Sequence, residues 1–216
     1  MLPSAVTIGV RNDAHGVPQQ ATGARPQVAR QPIWSVGGTL VGHEYLYRSE
    51  AGLAVGVDGW IDERQEGATA SVLASVFAGS GPAGDRLVFV NVTRSFLTRD
   101  RGLPEPVDRL VLEVVESVRA DDAVLAGLPA LRSDGYLIAL DDYVASPDQL
   151  AMLPYADFVK VDLRDLATLP ELVIAEARRY GAQLVAEHVS DQSLVRHAVD
   201  LGFDMLQGDE LGPART

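Results

Sequence analysis

Short apolar runs alternate with amphipathic stretches along most of this chain. The runs have the length and composition of buried β-strands and lie at residues 87–92, 110–115, 137–143, 156–162, 183–187 and 205–208. Between them, apolar residues recur at helical spacing at residues 63–77, 122–134, 172–180 and 193–201. Strands that alternate with helices predict an α/β fold, in which a parallel sheet is joined by helical crossovers.

The beginning of the pattern differs from the rest. Residues 40–47 predict a strand, and Gly37 and Gly38 before it predict a turn, so an antiparallel strand pair opens the domain. The total of about eight strands favours a (β/α)8 TIM-type barrel with an antiparallel first strand. An open doubly wound sheet is the alternative, although no glycine-rich phosphate turn supports it. Residues 1–26 lack a sustained period, and we interpret them as a flexible leader or linker before a domain at 27–216.

Composition narrows the range of partners. The formal net charge of −12 at pH 7 argues against a nucleic-acid polymer as the main partner. The absence of cysteine excludes disulfides and thiolate metal sites. No apolar run approaches the length of a membrane span, and no signal peptide is evident, so the sequence predicts a cytoplasmic protein without membrane contact.

Polar residues with metal-binding or catalytic potential stand at or near the strand ends. They are Glu44, Asn91, Glu113, Asp141, Asp142, Lys160, Glu187 and Gln207. In a barrel of this kind the carboxyl ends of the strands share one face, where active sites are built. Oxygen ligands without His or Cys suit Mg2+, Mn2+ or Ca2+ better than zinc.

The adjacent pair Asp141 and Asp142 allows two interpretations. One is a strand followed by an Asp helix cap. The other is a pair of carboxylates that flank two ions, the arrangement that promotes attack of water on a phosphodiester. Lys160 would then face inward and hold a phosphate oxygen or the attacking water. The residues alone leave phosphodiester hydrolysis and enolisation open, because both use carboxylates, a metal and a lysine.

Eight short motifs resemble, in order, those of EAL domains, the bacterial domains that hydrolyse cyclic di-GMP to linear pGpG with Mg2+ or Mn2+. The motifs are Arg30-Gln31-Pro32-Ile33, Glu44-Tyr45-Leu46-Tyr47-Arg48, Phe89-Val90-Asn91-Val92, Leu112-Glu113-Val114-Val115-Glu116, Ala139-Leu140-Asp141-Asp142-Tyr143, Val159-Lys160-Val161-Asp162, Ala186-Glu187-His188-Val189 and Gln207-Gly208. Each motif is weak alone, but eight in order are specific. The amino-acid sequences of these motifs are most similar to those of a divergent branch that includes the EAL half of EAL–HDOD proteins.

The resemblance implies a role for each site residue. The first metal would be held by Glu44, Asn91, Glu113 and Asp141, the second by Asp141 and Asp142, with Gln207 completing the metal site. Lys160 and Glu187 would position or activate the water, and Gln31 and Arg48 would contact the dinucleotide. The implied cofactor is Mg2+ or Mn2+, with Ca2+ as an inhibitor.

The sequence departs from the family pattern at several positions. Tyr45 replaces the Ala of the Glu-Ala-Leu signature, and Ser190 stands where the strand-seven motif ends in a second Glu. The glycine-rich loop after the Asp pair is replaced by Tyr143-Val144-Ala145-Ser146, and Val144 is a poor substitute for glycine. Glu116, which anchors that loop in the family, is kept, while the stretch between Glu44 and Asn91 is short.

Two functions follow from the resemblance. The retained metal ligands favour a cyclic di-GMP phosphodiesterase, and the altered loop with Ser190 favours weak or absent hydrolysis. The alternative is a catalytically silent EAL domain that senses cyclic di-GMP or binds a protein partner. Family members often form homodimers near the altered loop, which makes a homodimer a further expectation.

Overall fold

A closed barrel forms the centre of the computed structural model, which describes residues 28–48, 62–77, 84–105, 109–164 and 171–216. Its strands, in chain order, are β1 (Val28–Ser35), β2 (Leu40–Tyr47), β3 (Leu87–Val92), β4 (Leu110–Val114), β5 (Leu137–Leu140), β6 (Phe158–Asp162), β7 (Gln183–Glu187) and β8 (Met205–Gln207). Strand β1 is antiparallel to both of its neighbours, and all other adjacent strands are parallel. The predicted α/β barrel with an antiparallel first strand is confirmed. The interpretation of residues 1–26 lies outside the described residues.

Helices cover the outside of the barrel. They are α1 (Asp62–Val76), α2 (Arg94–Leu97), α3 (Asp122–Ser133), α4 (Pro147–Met152), α5 (Glu171–Ala177) and α6 (Gln192–Asp200). The sequence did not predict α2 and α4, because helices of four and six residues are too short to show a period. None of the helices in the described residues combines the length and the apolar character that a membrane span requires.

The strand at 137–143 is shorter than predicted. Strand β5 ends at Leu140, and the chain continues as a loop to Ser146, which is the N-cap of α4. The side chain of Ser146 accepts a hydrogen bond from the backbone N–H of Gln149. The helix cap is therefore Ser146, which removes the interpretation of the Asp pair as a cap.

An apolar layer fills the middle of the barrel. Its buried side chains come from seven strands and are Ile33, Phe89, Val111, Ala139, Phe158, Val185 and Met205. Phe89 and Phe158 meet edge to face, with ring centroids 5.3 Å apart. Side chains two residues apart on a strand point to the same face, so the next inward position on each strand lies directly above this layer.

Candidate active site

A polar layer lies one pleat above the apolar layer. Six of its residues each follow a different member of the apolar layer by two positions on the same strand or at its end. They are Asn91, Glu113, Asp141, Lys160, Glu187 and Gln207. On the reversed strand β1, Gln31 lies two residues before Ile33, and Glu44 of β2 pairs in register with both Gln31 and Phe89. The strand pleat therefore brings to one end of the barrel the residues that the sequence predicted there.

Lys160 is the centre of this layer. Its side chain is 1% exposed, and its ammonium lies 3.4 Å from Glu44 Oε2, 3.2 Å from Asp141 Oδ1 and 2.8 Å from Glu187 Oε1. It also forms an ion pair with the fully buried Glu113. One cation is thus surrounded by carboxylates from four other strands or strand ends.

Burial and mutual repulsion shift the acidity of these groups. Burial would lower the pKa of Lys160, but the surrounding carboxylates together raise it well above its ordinary value, so the ammonium stays charged. Burial, reinforced by Glu44, raises the pKa of Glu113 well above its ordinary value. Burial likewise raises the pKa of Glu187. The carboxylates repel one another despite Lys160, and a bound cation would relieve that repulsion.

Asn91 and Gln207, two of the three amide side chains of the layer, have side-chain oxygens buried at the site. Asn91 Nδ2 donates to Glu44 Oε1 at 3.0 Å, and Gln207 Nε2 donates to Glu44 Oε2 at 2.6 Å and to Gln31 Oε1 at 3.1 Å. These bonds fix which end of each amide carries the nitrogen. Among the described residues, Asn91 Oδ1, Gln207 Oε1 and Glu113 Oε2 are buried oxygens without a hydrogen-bond partner. Such oxygens fit metal ligation, which would satisfy them.

The carboxylates of Asp141, Asp142 and Glu187 form the second part of the site. One oxygen from each lies within 4.8 Å of the others, close enough to share a metal ion. Neighbouring strand residues normally point to opposite faces, but Asp142 adopts a left-handed φ of 42° and lines the same cleft as Asp141. Burial raises the pKa of Asp142 to about 6, and the charge of Asp141 adds to the shift.

A cleft of about 590 Å³ opens above the polar layer. Every residue predicted to bind metal, dinucleotide or water lines this cleft, except Glu113, which is in contact with Lys160. Gln31 and Arg48 lie at its wall, and the guanidinium of Arg48 donates to the Tyr47 carbonyl at 3.0 Å. Ser190 is also part of the lining. The structure thus gathers all ten predicted site residues at one end of the barrel.

Sequence reasoning missed a group of charged residues at the rim. Asp162 accepts hydrogen bonds from the Arg164 backbone N–H at 2.7 Å and from its Nε at 2.8 Å, and it pairs with His188 Nδ1 at 3.2 Å. Arg164 and His188 line the cleft. Asp162 lies two residues after Lys160 on β6, so the same alternation that located Lys160 was a signal for it.

Gly208 fixes the junction between the ends of β7 and β8. A Cβ atom at this position would lie 2.3 Å from the backbone nitrogen and oxygen of Val189. Val189 N–H also donates to the Gln207 carbonyl at 3.0 Å. This close approach holds Gln207 and Glu187 side by side, and only glycine permits it.

Comparison with known proteins identifies the family. Residues 80–214 match the family model of the EAL domain. Cyclic di-GMP phosphodiesterase CdgJ of Vibrio cholerae is 30% identical over 187 residues, which cover 84% of this chain and 42% of CdgJ. Uncharacterized protein YuxH of Bacillus subtilis is 29% identical over 194 residues, covering 84% of this chain and 45% of YuxH. The chain therefore spans less than half the length of these curated relatives, and its assignment to the EAL–HDOD branch stays a prediction.

Solved structures agree on the architecture. BlrP1 of Klebsiella pneumoniae, in a complex with calcium and cyclic di-GMP, superposes with a TM-score of 0.67 at 25% identity, over 89% of this chain and 56% of BlrP1. Its complex with manganese and cyclic di-GMP gives a TM-score of 0.68 at 24% identity, with the same coverage. Together with the ordered motifs and the family model, these matches lead to one conclusion. The chain belongs to the EAL domain family.

Proposed function

We propose that this chain binds cyclic di-GMP in the cleft and hydrolyses it to linear pGpG in a reaction that depends on Mg2+ or Mn2+. The observation that carries the proposal is the convergence of Asp141, Asp142 and Glu187 on one point beside a charged Lys160. This arrangement supplies oxygen ligands and a fixed positive charge, the elements needed for attack of water on a phosphodiester. CdgJ and the two BlrP1 complexes support the choice of substrate.

The residues present fit divalent cations. Glu44, Asn91, Glu113 and Asp141 would hold the first ion, Asp142 with Asp141 the second, and Gln207 would complete the site. The unpartnered oxygens of Asn91, Gln207 and Glu113 support this assignment, because a buried oxygen without a partner is unfavourable unless an ion or water satisfies it. When bound, the ions polarise the phosphate and lower the pKa of coordinated water.

Side chains of the polar layer would transfer the proton and stabilise the charge that develops during hydrolysis. In the reaction, the oxygen of water forms a bond to phosphorus, the bond from phosphorus to the 3′ oxygen breaks, and that oxygen takes up a proton. The raised pKa of Glu187 makes its carboxylate a better acceptor for the proton of the attacking water. The ammonium of Lys160, 2.8 Å from Glu187, would stabilise charge that develops on the phosphate oxygens.

Dinucleotide binding would use the wall of the cleft. Gln31 and Arg48 line it, and the planar guanidinium of Arg48 suits a phosphate or a guanine edge because it donates two parallel hydrogen bonds. The volume of about 590 Å³ lies within the range of small-molecule sites.

The test is hydrolysis by the purified full chain. The chain is incubated with cyclic di-GMP and Mn2+, and pGpG is followed by chromatography. Glu44→Gln is expected to lower the rate by about 100-fold or more, as removal of one preorganised group at a charged transition state does. The matched control is Glu176→Gln, which removes a surface ion pair with Arg179 at 3.1 Å and is expected to leave the rate unchanged. Equal rates in all three proteins would contradict the proposal.

A second candidate function is binding without hydrolysis. It is favoured by Ser190, which lines the cleft at the position where the family motif ends in a carboxylate. Calorimetric titration with cyclic di-GMP that shows binding, together with no pGpG formation in Mn2+ or Mg2+, would support this function over the first. The homodimer predicted near residues 143–146 stays a prediction, which sedimentation of the purified chain would check.

A further inference from the structure

The loop that carries the Asp141–Asp142 pair has an unusual backbone. Two of its residues other than glycine, Asp142 and Ala145, adopt left-handed φ angles of 42° and 56°. Val144 and Ser146, which replace the glycines of the family loop, are not among the left-handed residues, and Ser146 has a φ of −61°. Left-handed backbone at residues other than glycine is strained, and it persists only where surrounding groups hold it.

The side chain of Gln149 holds this loop. It is 4% exposed, and its Oε1 accepts hydrogen bonds from the backbone N–H of Val144 at 3.0 Å and of Ser146 at 3.2 Å. Its Nε2 donates to the backbone carbonyls of Asp141 and Asp142, both at 3.1 Å. One buried amide thus uses both of its ends to bind the backbone on either side of the turn.

Gln149 is itself attached to fixed parts of the structure. It takes part in a capping box with Ser146 at the start of α4. Its neighbour Asp148 accepts a hydrogen bond from the Ala120 backbone N–H at 2.9 Å, and Met152 of the same helix is in the core. Strands hold the backbone nitrogens of the loop, since Asp141 N–H donates to Val114 and Tyr143 N–H donates to Lys160. Gln149 therefore ties the carbonyls of the Asp pair to a packed helix.

We infer that Gln149 is a positioning residue that holds the Asp141 and Asp142 carboxylates in the geometry for divalent cations. The inference rests on the proposed function, because it assigns to Gln149 the support of the second metal position. In the altered loop, the amide of Gln149 from the following helix would then hold the turn at the second metal position, where the family loop has glycines. Loss of a group that orients metal ligands typically lowers metal affinity by about 10- to 100-fold.

The test measures Mn2+ affinity of the full chain by calorimetry, without dinucleotide, and the melting temperature in EDTA. Gln149→Met has nearly the same shape but removes all four hydrogen bonds, and we expect it to weaken Mn2+ binding by about 10- to 100-fold. The matched control is Asp157→Ala. Asp157 Oδ2 accepts from the Ile138 backbone N–H at 2.9 Å, so it secures β5 at the end far from the site. This control is expected to lower the melting temperature and leave Mn2+ affinity unchanged.

Gln149→Glu is the second variant. It keeps an oxygen for Val144 and Ser146 but places another oxygen against the carbonyls of Asp141 and Asp142, so it is expected to weaken Mn2+ binding even if Gln149→Met does not fold. If the folded variants bind Mn2+ within twofold of the unchanged chain, the role of Gln149 is refuted and the proposed function stands. If the unchanged chain takes up no Mn2+, the proposed metal site is wrong, and the role of Gln149 with it.

Discussion

The apolar layer in the middle of the barrel and the polar layer above it belong to the same strands and lie two residues apart. In the lower layer, Phe89 and Phe158 fill space and contact each other. In the upper layer, Lys160 and Glu113 are as deeply buried but ionisable, and burial together with the charge of Glu44 raises the pKa of Glu113. The difference shows that one strand pleat separates residues that stabilise the fold from residues that reduce stability in exchange for a reactive site.

The largest expected effect on stability comes from the lower layer. Phe158→Ala removes a buried ring that packs against Phe89, and we expect the free energy of unfolding to fall by about 3–5 kcal/mol because a cavity remains. Urea denaturation followed by circular dichroism measures this loss. Tyr180→Ala is the control, since that ring is 50% exposed and its loss should change stability by about 0.5 kcal/mol or less. Similar losses in both variants would contradict the assignment of the lower layer to the core.

A substitution in the upper layer should have a smaller effect on stability than Phe158→Ala and a large effect on metal binding. Glu113→Gln keeps the shape of a fully buried side chain, and Lys160 retains Glu44, Asp141 and Glu187 as partners. We expect the free energy of unfolding to fall by no more than about 1.5–3 kcal/mol, the range for a hydrogen bond to a charged group, because loss of the carboxylate also relieves its repulsion by Glu44. Loss of a group that only supports the metal ligands typically lowers metal affinity by about 10- to 100-fold. Because Glu113 is proposed as a ligand itself, Mn2+ affinity should fall by at least this factor.

Denaturation and calorimetry on the same preparation of Glu113→Gln separate these two quantities. A loss of stability as large as that of Phe158→Ala, with unchanged Mn2+ affinity, would make the upper layer part of the structural core and end the contrast between the layers.

The smallest expected effect concerns the loop above the upper layer. Ala145 has a φ of 56°, which glycine adopts without strain, so Ala145→Gly is expected to stabilise the protein by about 0.5 kcal/mol. The same change at exposed Ala151, inside α4, should destabilise by about 1 kcal/mol because glycine is a poor helix former. Differential scanning calorimetry compares the two. A loss of stability in Ala145→Gly would contradict the strained conformation at that position.

Much of the site could be predicted because strand alternation is a local property. Once residues 87–92 and 110–115 were recognised as strands, Asn91 and Glu113 followed as residues near their ends, and the order of strands placed those ends together. Asp162 was equally accessible, since it lies one alternation beyond Lys160 on β6. The role of Gln149 could not be predicted, because it depends on hydrogen bonds to four backbone groups in a loop whose path no sequence pattern describes.

The order of apolar and polar residues by itself predicted alternating strands and helices, an antiparallel start and oxygen ligands at the strand ends, because side-chain direction along a strand follows from position alone. Tertiary structure decided that the sheet closes into a barrel, how Asp142 turns into the cleft beside Asp141, that the amide oxygens of Asn91 and Gln207 are buried without a partner, and that Gln149 holds the loop. The amide contacts join segments that are distant in the chain, whereas the contacts of Gln149 join residues three to eight positions apart in a loop with left-handed backbone at residues other than glycine. Neither leaves a periodic mark in the sequence.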